Sequence, residues 1–377
     1  MRIKINVYLV FFIVASSVVH KMQSSINIDT RQESNVGGQV FRSFVLDSLQ
    51  TFSSSFDYAY GDVEFRAGIK AMTNDSRTLS LGITGLLGGA LILGQGLTEA
   101  NFNVFNDLTL SITSFNGPNL GPFGLNTFNF RSQNPCTFFL DNDLTMSQDA
   151  LLRIFAQGGL GGTIFDGRNY KIVLTSGSAF SVVQLSGPFT IKNCRIEGIT
   201  ASTYGAGSTN NGFIGFMNVQ LITNAGQTIE LADTKCRFFG QHNVIGYGGI
   251  ADFSQNERTS ITIATESQLY IAPDTTLVLN HVSSFNKAPV IAFVDTTSVL
   301  FLDNCNIQVG GPENPNNQIP FIHGTMIING NVTLTARDGG ILRLGDGLDP
   351  ANNFNVVILP GSKLIVADGA TLLNKNI

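Results

Sequence analysis

Phe189-Thr-Ile-Lys-Asn-Cys194-Arg-Ile-Glu-Gly198 and Leu300-Phe-Leu-Asp-Asn-Cys305-Asn-Ile-Gln-Val309 read alike. Each sets an alternating apolar stretch before an asparagine and a cysteine, and resumes the alternation afterwards. Ile229-Glu-Leu-Ala-Asp-Thr-Lys-Cys236-Arg-Phe is a looser third copy. The spacings of Cys194, Cys236 and Cys305 are close to whole multiples, two, three and five, of a unit of roughly 22 residues. A second pair agrees. Ile271-Ala-Pro-Asp-Thr-Thr-Leu-Val-Leu279 matches Ile358-Leu-Pro-Gly-Ser-Lys-Leu-Ile-Val366 at an offset of about four such units. A fixed period in this range is the signature of a solenoid, in which each unit buries its apolar face only by stacking on the next.

The unit is β. Phe189 and Ile191, Leu277 and Leu279, Leu300 and Leu302, and Leu364 and Val366 alternate with the residues between them. Period two places each pair on one face of a strand. Turn dipeptides are scattered among the strands: Asp166-Gly167, Asn329-Gly330, Asp338-Gly339, Asp346-Gly347 and Asp368-Gly369. After Gly158 no uninterrupted run is long enough for a helical repeat. The charge-free stretch from Leu79 to Leu97 contains Gly82, Gly85, Gly88, Gly89, Gly94 and Gly96. That density of glycine reads as β-structure, not as a membrane-spanning helix.

With these features the chain resembles the parallel β-helix family, the pectin-lyase-like superfold. The resemblance covers Thr137 to Ile377 well and Thr78 to Phe130 less closely. It implies an all-β, right-handed, single-stranded parallel β-helix of about 22 residues per coil, handedness following the usual crossover preference. It also implies inward ladders of like side chains and asparagines at sharp bends. Asn193 and Asn304 fit such bends, because asparagine tolerates the left-handed backbone conformation.

On this register Cys194 and Cys236 lie two coils apart, roughly 10 Å, too far for a disulfide. Free, buried thiols are therefore expected. The spacing from Cys136 to Cys194 is not a whole number of units, which calls for an insertion. Ser147 to Gly158 supplies one as a short helix, with Leu151, Leu152, Ile154 and Phe155 on its apolar face. A second helix is expected near Val40 to Phe52, either as a lid over the first coil or as an ordinary surface helix. The last coil, ending Leu372-Leu373-Asn-Lys-Asn-Ile377, has no such cover. Its edge is either guarded by Lys375 or docked by something else.

Arg2 and Lys4 precede an apolar stretch from Ile5 to Val19, with Ala15-Ser16-Ser17 as a cleavage site. This is the pattern of a signal peptide. Three segments follow: residues 1–25 as signal peptide, 26–135 as a β-rich amino-terminal segment with a capping helix, and 136–377 as the β-helix. No membrane span is expected once the signal is removed. The 377 residues are 43% hydrophobic and only 13% charged, with a net charge of −5. That balance gives a large core and argues against disorder and nucleic-acid partners. Phenylalanine is abundant at 29 residues and tryptophan is absent.

Catalytic patterns are sparse. The histidines are His20, His242, His281 and His323, with no metal-ligand spacing among them. His242, among polar neighbours, is the best candidate for an exception. There is no HExxH, GxSxG, Walker A or GxGxxG motif. The resemblance would imply, for a hydrolase, Asn-Thr-Asp, Asp-Asp and Gly-His-Gly motifs, and for a lyase Arg-x-Pro-x-x-Arg. All are missing. Asp141-Asn-Asp143, Asp295, Asp303, Arg337-Asp338, Arg343 and Asp346 read as turn residues. Phe213, Phe216, Phe238, Phe239, Phe285, Phe293 and Phe321 read as interior stacking, since sugar platforms favour Trp and Tyr. Tyr58, Tyr60, Tyr204, Tyr247 and Tyr270 are better surface contacts, but sequence does not group them.

The expectation is an exported surface or envelope-associated protein with a structural, adhesion or recognition role. No catalytic, cofactor-binding or metal residues are assigned. A glycan or a host or cell-surface protein is the expected partner, met through polar turns such as Ser202 to Asn211. The rival reading is a polysaccharide lyase or glycoside hydrolase on the same fold.

Overall fold

The structure is a computed structural model. It describes the strand backbone of parts of residues 44–128, and residues 129–374 apart from several connections, the longest at 199–212, 254–260, 281–289, 311–317 and 346–353. Residues 1–25, read from sequence as a signal peptide, Lys375 and Ser202 to Asn211 lie outside the described residues.

Among the described residues every assigned element is a β-strand, and every strand pairing is parallel. The strands form sheets of 25, 6 and 3 members, stacked as a β-solenoid. Three sides make up the solenoid. Side one includes Thr137–Leu140, Thr163–Asp166 and Cys236–Phe239. Side two includes Leu144–Met146, Lys171–Leu174 and Gln268–Ile271. Side three includes Ile250–Asp252, Thr276–Leu279 and Asn306–Val309.

Alternation explains the core. On side one, Leu108, Phe138, Phe165, Ile191, Phe216, Phe238, Ile263 and Phe293 stack in register, all buried. Phe216 and Phe238 lie nearly parallel, with centroids 5.2 Å apart. Side two carries an aliphatic ladder: Leu144, Ile172, Ile196, Leu221, Ile245, Ile271, Leu302, Ile328 and Ile358. Parallel stacking puts like side chains above one another, so one rung's packing repeats in the next.

The turns are on average longer than the sequence period, and uneven. Phe189, Ile214, Cys236, Ile261 and Ile291 are successive rungs. The shortest of these turns runs from Ile214 to Cys236 and the longest from Ile261 to Ile291. The mean is about 26 residues per turn, not 22. Part of the excess sits at corners. Between sides one and two, Asn218 alone turns the chain between Met217 and Val219, whereas the next turn spends Gly240, Gln241 and His242 between Phe239 and Asn243.

This changes the register of the repeats. Cys194 stacks on Val219, while Cys236 stacks on Ile214, so the two cysteines belong to different ladders. Asn193 and Asn304 both have positive φ, 49° and 41°, as expected of bends. They occupy different corners: Asn193 joins sides one and two, and Asn304 joins sides two and three. Their likeness is that of a local strand–bend–strand motif, not of equivalent positions. The second repeat pair is in true register. Ile271 reaches Ile358 through Leu302 and Ile328, three turns and not four. All four cysteines are free and buried.

Both expected helices give way to strands. Ala150–Ala156 pairs along its length with Asn126–Ser132 and with Ala179–Val183. Its apolar residues satisfy a helical spacing, but two strand neighbours supply backbone partners on both edges, and the pairing overrides local preference. Within Val40 to Phe52, Phe44–Leu46 and Gln50–Ser53 are strands paired to Val63–Phe65 and Gly68–Met72. The glycine-rich Leu79 to Leu97 stretch is β, contributing to Arg77–Leu87 and Ala90–Leu93.

At the carboxyl end the strands Asn355–Ile358, Lys363–Val366 and Thr371–Asn374 each pair on one edge only among the described residues. Ile358 and Val366, in ladder positions buried one turn earlier, are 50% and 44% exposed.

Candidate functional site

The acids singled out from sequence work at corners. Asp143 Oδ1 accepts the Lys171 N–H at 3.1 Å, and Asp141 meets Arg168 at 3.4 Å. Asp166 accepts from the Arg168 N–H, from Asn193 Nδ2 and from Lys192. Burial alone would raise its carboxyl, but these donors outweigh burial and hold it below the ordinary range. Asp295 accepts from Thr297 and Thr265, which lower its carboxyl in the same way. Among the described residues no three His, Cys, Asp or Glu side chains gather as a metal site. His242 is exposed in the wide corner, and His323 is half-buried. Arg337 is exposed and Arg343 half-buried. His20, His281, Asp338 and Asp346 lie outside the described residues.

The phenylalanines divide. Phe216, Phe238, Phe293 and Phe321 are interior. Phe213 and Phe239 are half-buried on side one, 6.2 Å apart, with Arg237 over Phe213. Phe285, Tyr58, Tyr60 and Tyr204 lie outside the described residues.

What the sequence did not group, side two does. Its outward register runs Lys171, Arg195, Gln220, Val244, Tyr270, Phe301, Ile327, Val357. From Val244 onward the row is apolar or aromatic for five rungs, about 19 Å at the usual strand spacing. Tyr270 and Phe301 stand on adjacent rungs with centroids 5.3 Å apart. Tyr247, 50% exposed, is close enough to influence Tyr270 electrostatically. Two rows that carry polar residues flank the stripe. One runs Gln268, Val299, Thr325 and Asn355; the other contains Asp303 and Asn329.

Asp303 fixes this face. Its Oδ2 accepts the Tyr270 hydroxyl at 2.5 Å, while Oδ1 accepts Asn304 Nδ2 at 2.8 Å and Asn329 Nδ2 at 3.0 Å. Partial burial, then the bond to Asp303 and its negative charge, push the Tyr270 hydroxyl well above the usual tyrosine range. The ring is thus held as a neutral donor on the outer face, beside Phe301. Phe301 carried no sequence signal of its own. Its outward direction follows from alternation with buried Leu300 and Leu302, and its neighbour on the next rung is known only from register.

Comparisons with family models, curated proteins and solved structures find no match.

Proposed function

We propose that the protein is an exported, surface-associated β-helix that acts by recognition, a non-catalytic relative in kind of the pectin-lyase-like superfold. One observation carries the reading: the five-rung apolar and aromatic stripe from Val244 to Val357 on the outer face of side two, flanked by polar residues. Large part-exposed rings on a rigid surface offer contact area at little cost in conformational entropy. The basic and apolar amino terminus supports export. The acids support the same reading, since Asp141, Asp143, Asp166 and Asp295 are engaged in holding corners.

The test is a paired assay. The purified chain is incubated with polyuronides, neutral glycans and glycosaminoglycans, and products are sought by mass spectrometry. The same panel, with extracellular matrix proteins, is immobilised for binding. Binding without cleavage is expected. New oligosaccharides with an unsaturated end would make the protein a lyase, and products carrying an added water would make it a hydrolase.

A further inference from the structure

We infer that the stripe on side two binds an uncharged linear glycan lying along the solenoid axis, with Tyr270 and Phe301 as its stacking platform. The inference rests on the recognition reading and narrows it to one ligand class and one face.

Three observations converge. First, the rings occupy two successive rungs, 5.3 Å apart, so a chain laid along the axis meets two rings in succession, with Val244 before them and Ile327 and Val357 after. A sugar ring has an apolar C–H face that stacks on an aromatic ring, and hydroxyls at its rim that need hydrogen bonds. Second, hydrogen-bonding groups stand along the stripe. Gln268 lies beside Tyr270, and Thr325 and Asn355 lie on the same flank beside Ile327 and Val357, with Val299 beside Phe301 between them. Third, the charge pattern selects against ions. No Lys or Arg occurs among the rungs named here, from Val244 to Val357 and their flanking rows. The one charge, Asp303, already accepts from three donors. A polyanion would face that carboxylate with no cation to meet it. Arg195, three rungs from Tyr270, is tied to Glu197 at 2.6 Å and to Gln220 at 3.3 Å.

The platform is also preorganised. The Tyr270 ring is held at its hydroxyl by Asp303 and along its body by Phe301. Binding therefore does not have to order it.

The experiment uses the full chain, with cellohexaose, mannohexaose, xylohexaose and chitohexaose as neutral probes and hexagalacturonate as the anionic one. Affinity is read by calorimetry. Tyrosine emission gives a second readout, undisturbed because the chain has no Trp. At least one neutral hexaose should bind, and hexagalacturonate should bind more weakly than that hexaose. Phe301→Ala should weaken binding about ten-fold, the loss of one aromatic contact. Tyr247→Ala, near Tyr270, and Val357→Lys, on the stripe itself, change residues 50% and 44% exposed, where little packing is lost. Both should weaken binding, whereas Thr262→Ala on side one should not.

Neutral binding that survives all the stripe variants would overturn the site and leave the recognition reading standing. Preference for hexagalacturonate, or binding only to a protein, would overturn the ligand class. No binding to any neutral hexaose would overturn the inference outright. Cleavage of any probe would instead overturn the recognition reading beneath it.

Discussion

Tyr270 donates its hydroxyl to Asp303 across one turn of the solenoid, at 2.5 Å. Partial burial disfavours the Tyr270 phenolate, and the bond to Asp303 and its charge add to this, so the hydroxyl is raised above the ordinary value of 10.0. The sign of the linkage follows. The folded-state value is raised, so the stabilisation is fully present below about pH 10 and is lost as pH rises toward the folded value. An alkaline absorbance titration should show one tyrosine ionising after the others. Asp303→Asn should bring it down toward them and flatten the alkaline loss of stability. A Tyr270 that titrates with the rest in the parent protein would mean the bond is absent in solution.

The thiols should be inert. Burial, with some help from Asp107, pushes the Cys136 thiol up to about 12. Burial, with Asp166, does the same for Cys194, also to about 12. Burial dominates at Cys305, about 12, and raises Cys236 further. The thiolate is the reactive form, so almost none exists at pH 8. Native protein should take up no Ellman's reagent at that pH, and denatured protein should take up four equivalents, one for each Cys. Fewer than four after denaturation would reveal a disulfide, which the separate ladders of Cys194 and Cys236 do not allow.

The solenoid was legible because its signal is local. Alternation at Phe189 and Ile191 or Leu300 and Leu302 is a property of a few neighbouring residues, and it fixes strand and inward face together. Coil length was not legible, because it depends on corners. Nothing in the sequence marks Gly240 to His242 as three residues that replace Asn218 alone. The same limit misplaced the cysteines: strand–Asn–Cys occurs at two different corners, so matching the motif does not match the rung. The Ala150–Ala156 strand was hidden by its helical spacing, which only two paired neighbours override. The stripe was hidden for a third reason. Tyr270 and Phe301 are a full turn apart in sequence and meet only through the register.

Asn243 closes the widened corner, and its loss should be costly. It is fully buried, in a rung where the preceding turns place Val219 and Cys194. Its Oδ1 accepts the Val219 N–H at 3.2 Å. Its Nδ2 donates to the carbonyls of Phe239, Gly240 and Gln268. Asn243→Val would suit the ladder but leave these backbone groups without that partner. Each buried unsatisfied group costs about 1–3 kcal/mol. Chemical denaturation should show Asn243→Val destabilised by at least that amount. A neutral outcome would mean that water takes over the corner.

Ile328 and Ile358 should respond differently to the same truncation. They are adjacent rungs of one ladder, paired directly across two strands. Ile328 is packed from both sides and fully buried, whereas Ile358 is 50% exposed in the last described turn. Ile328→Ala should cost about 2–5 kcal/mol, the usual range for a buried aliphatic residue. Ile358→Ala should cost less than half as much, because roughly half its surface is already in water. Denaturant midpoints for the two variants, at several protein concentrations, give the comparison. Similar costs would mean that the last turn is covered in solution. If the Ile358→Ala cost also grew with protein concentration, the cover would be a second copy of the chain, since only association makes stability depend on concentration.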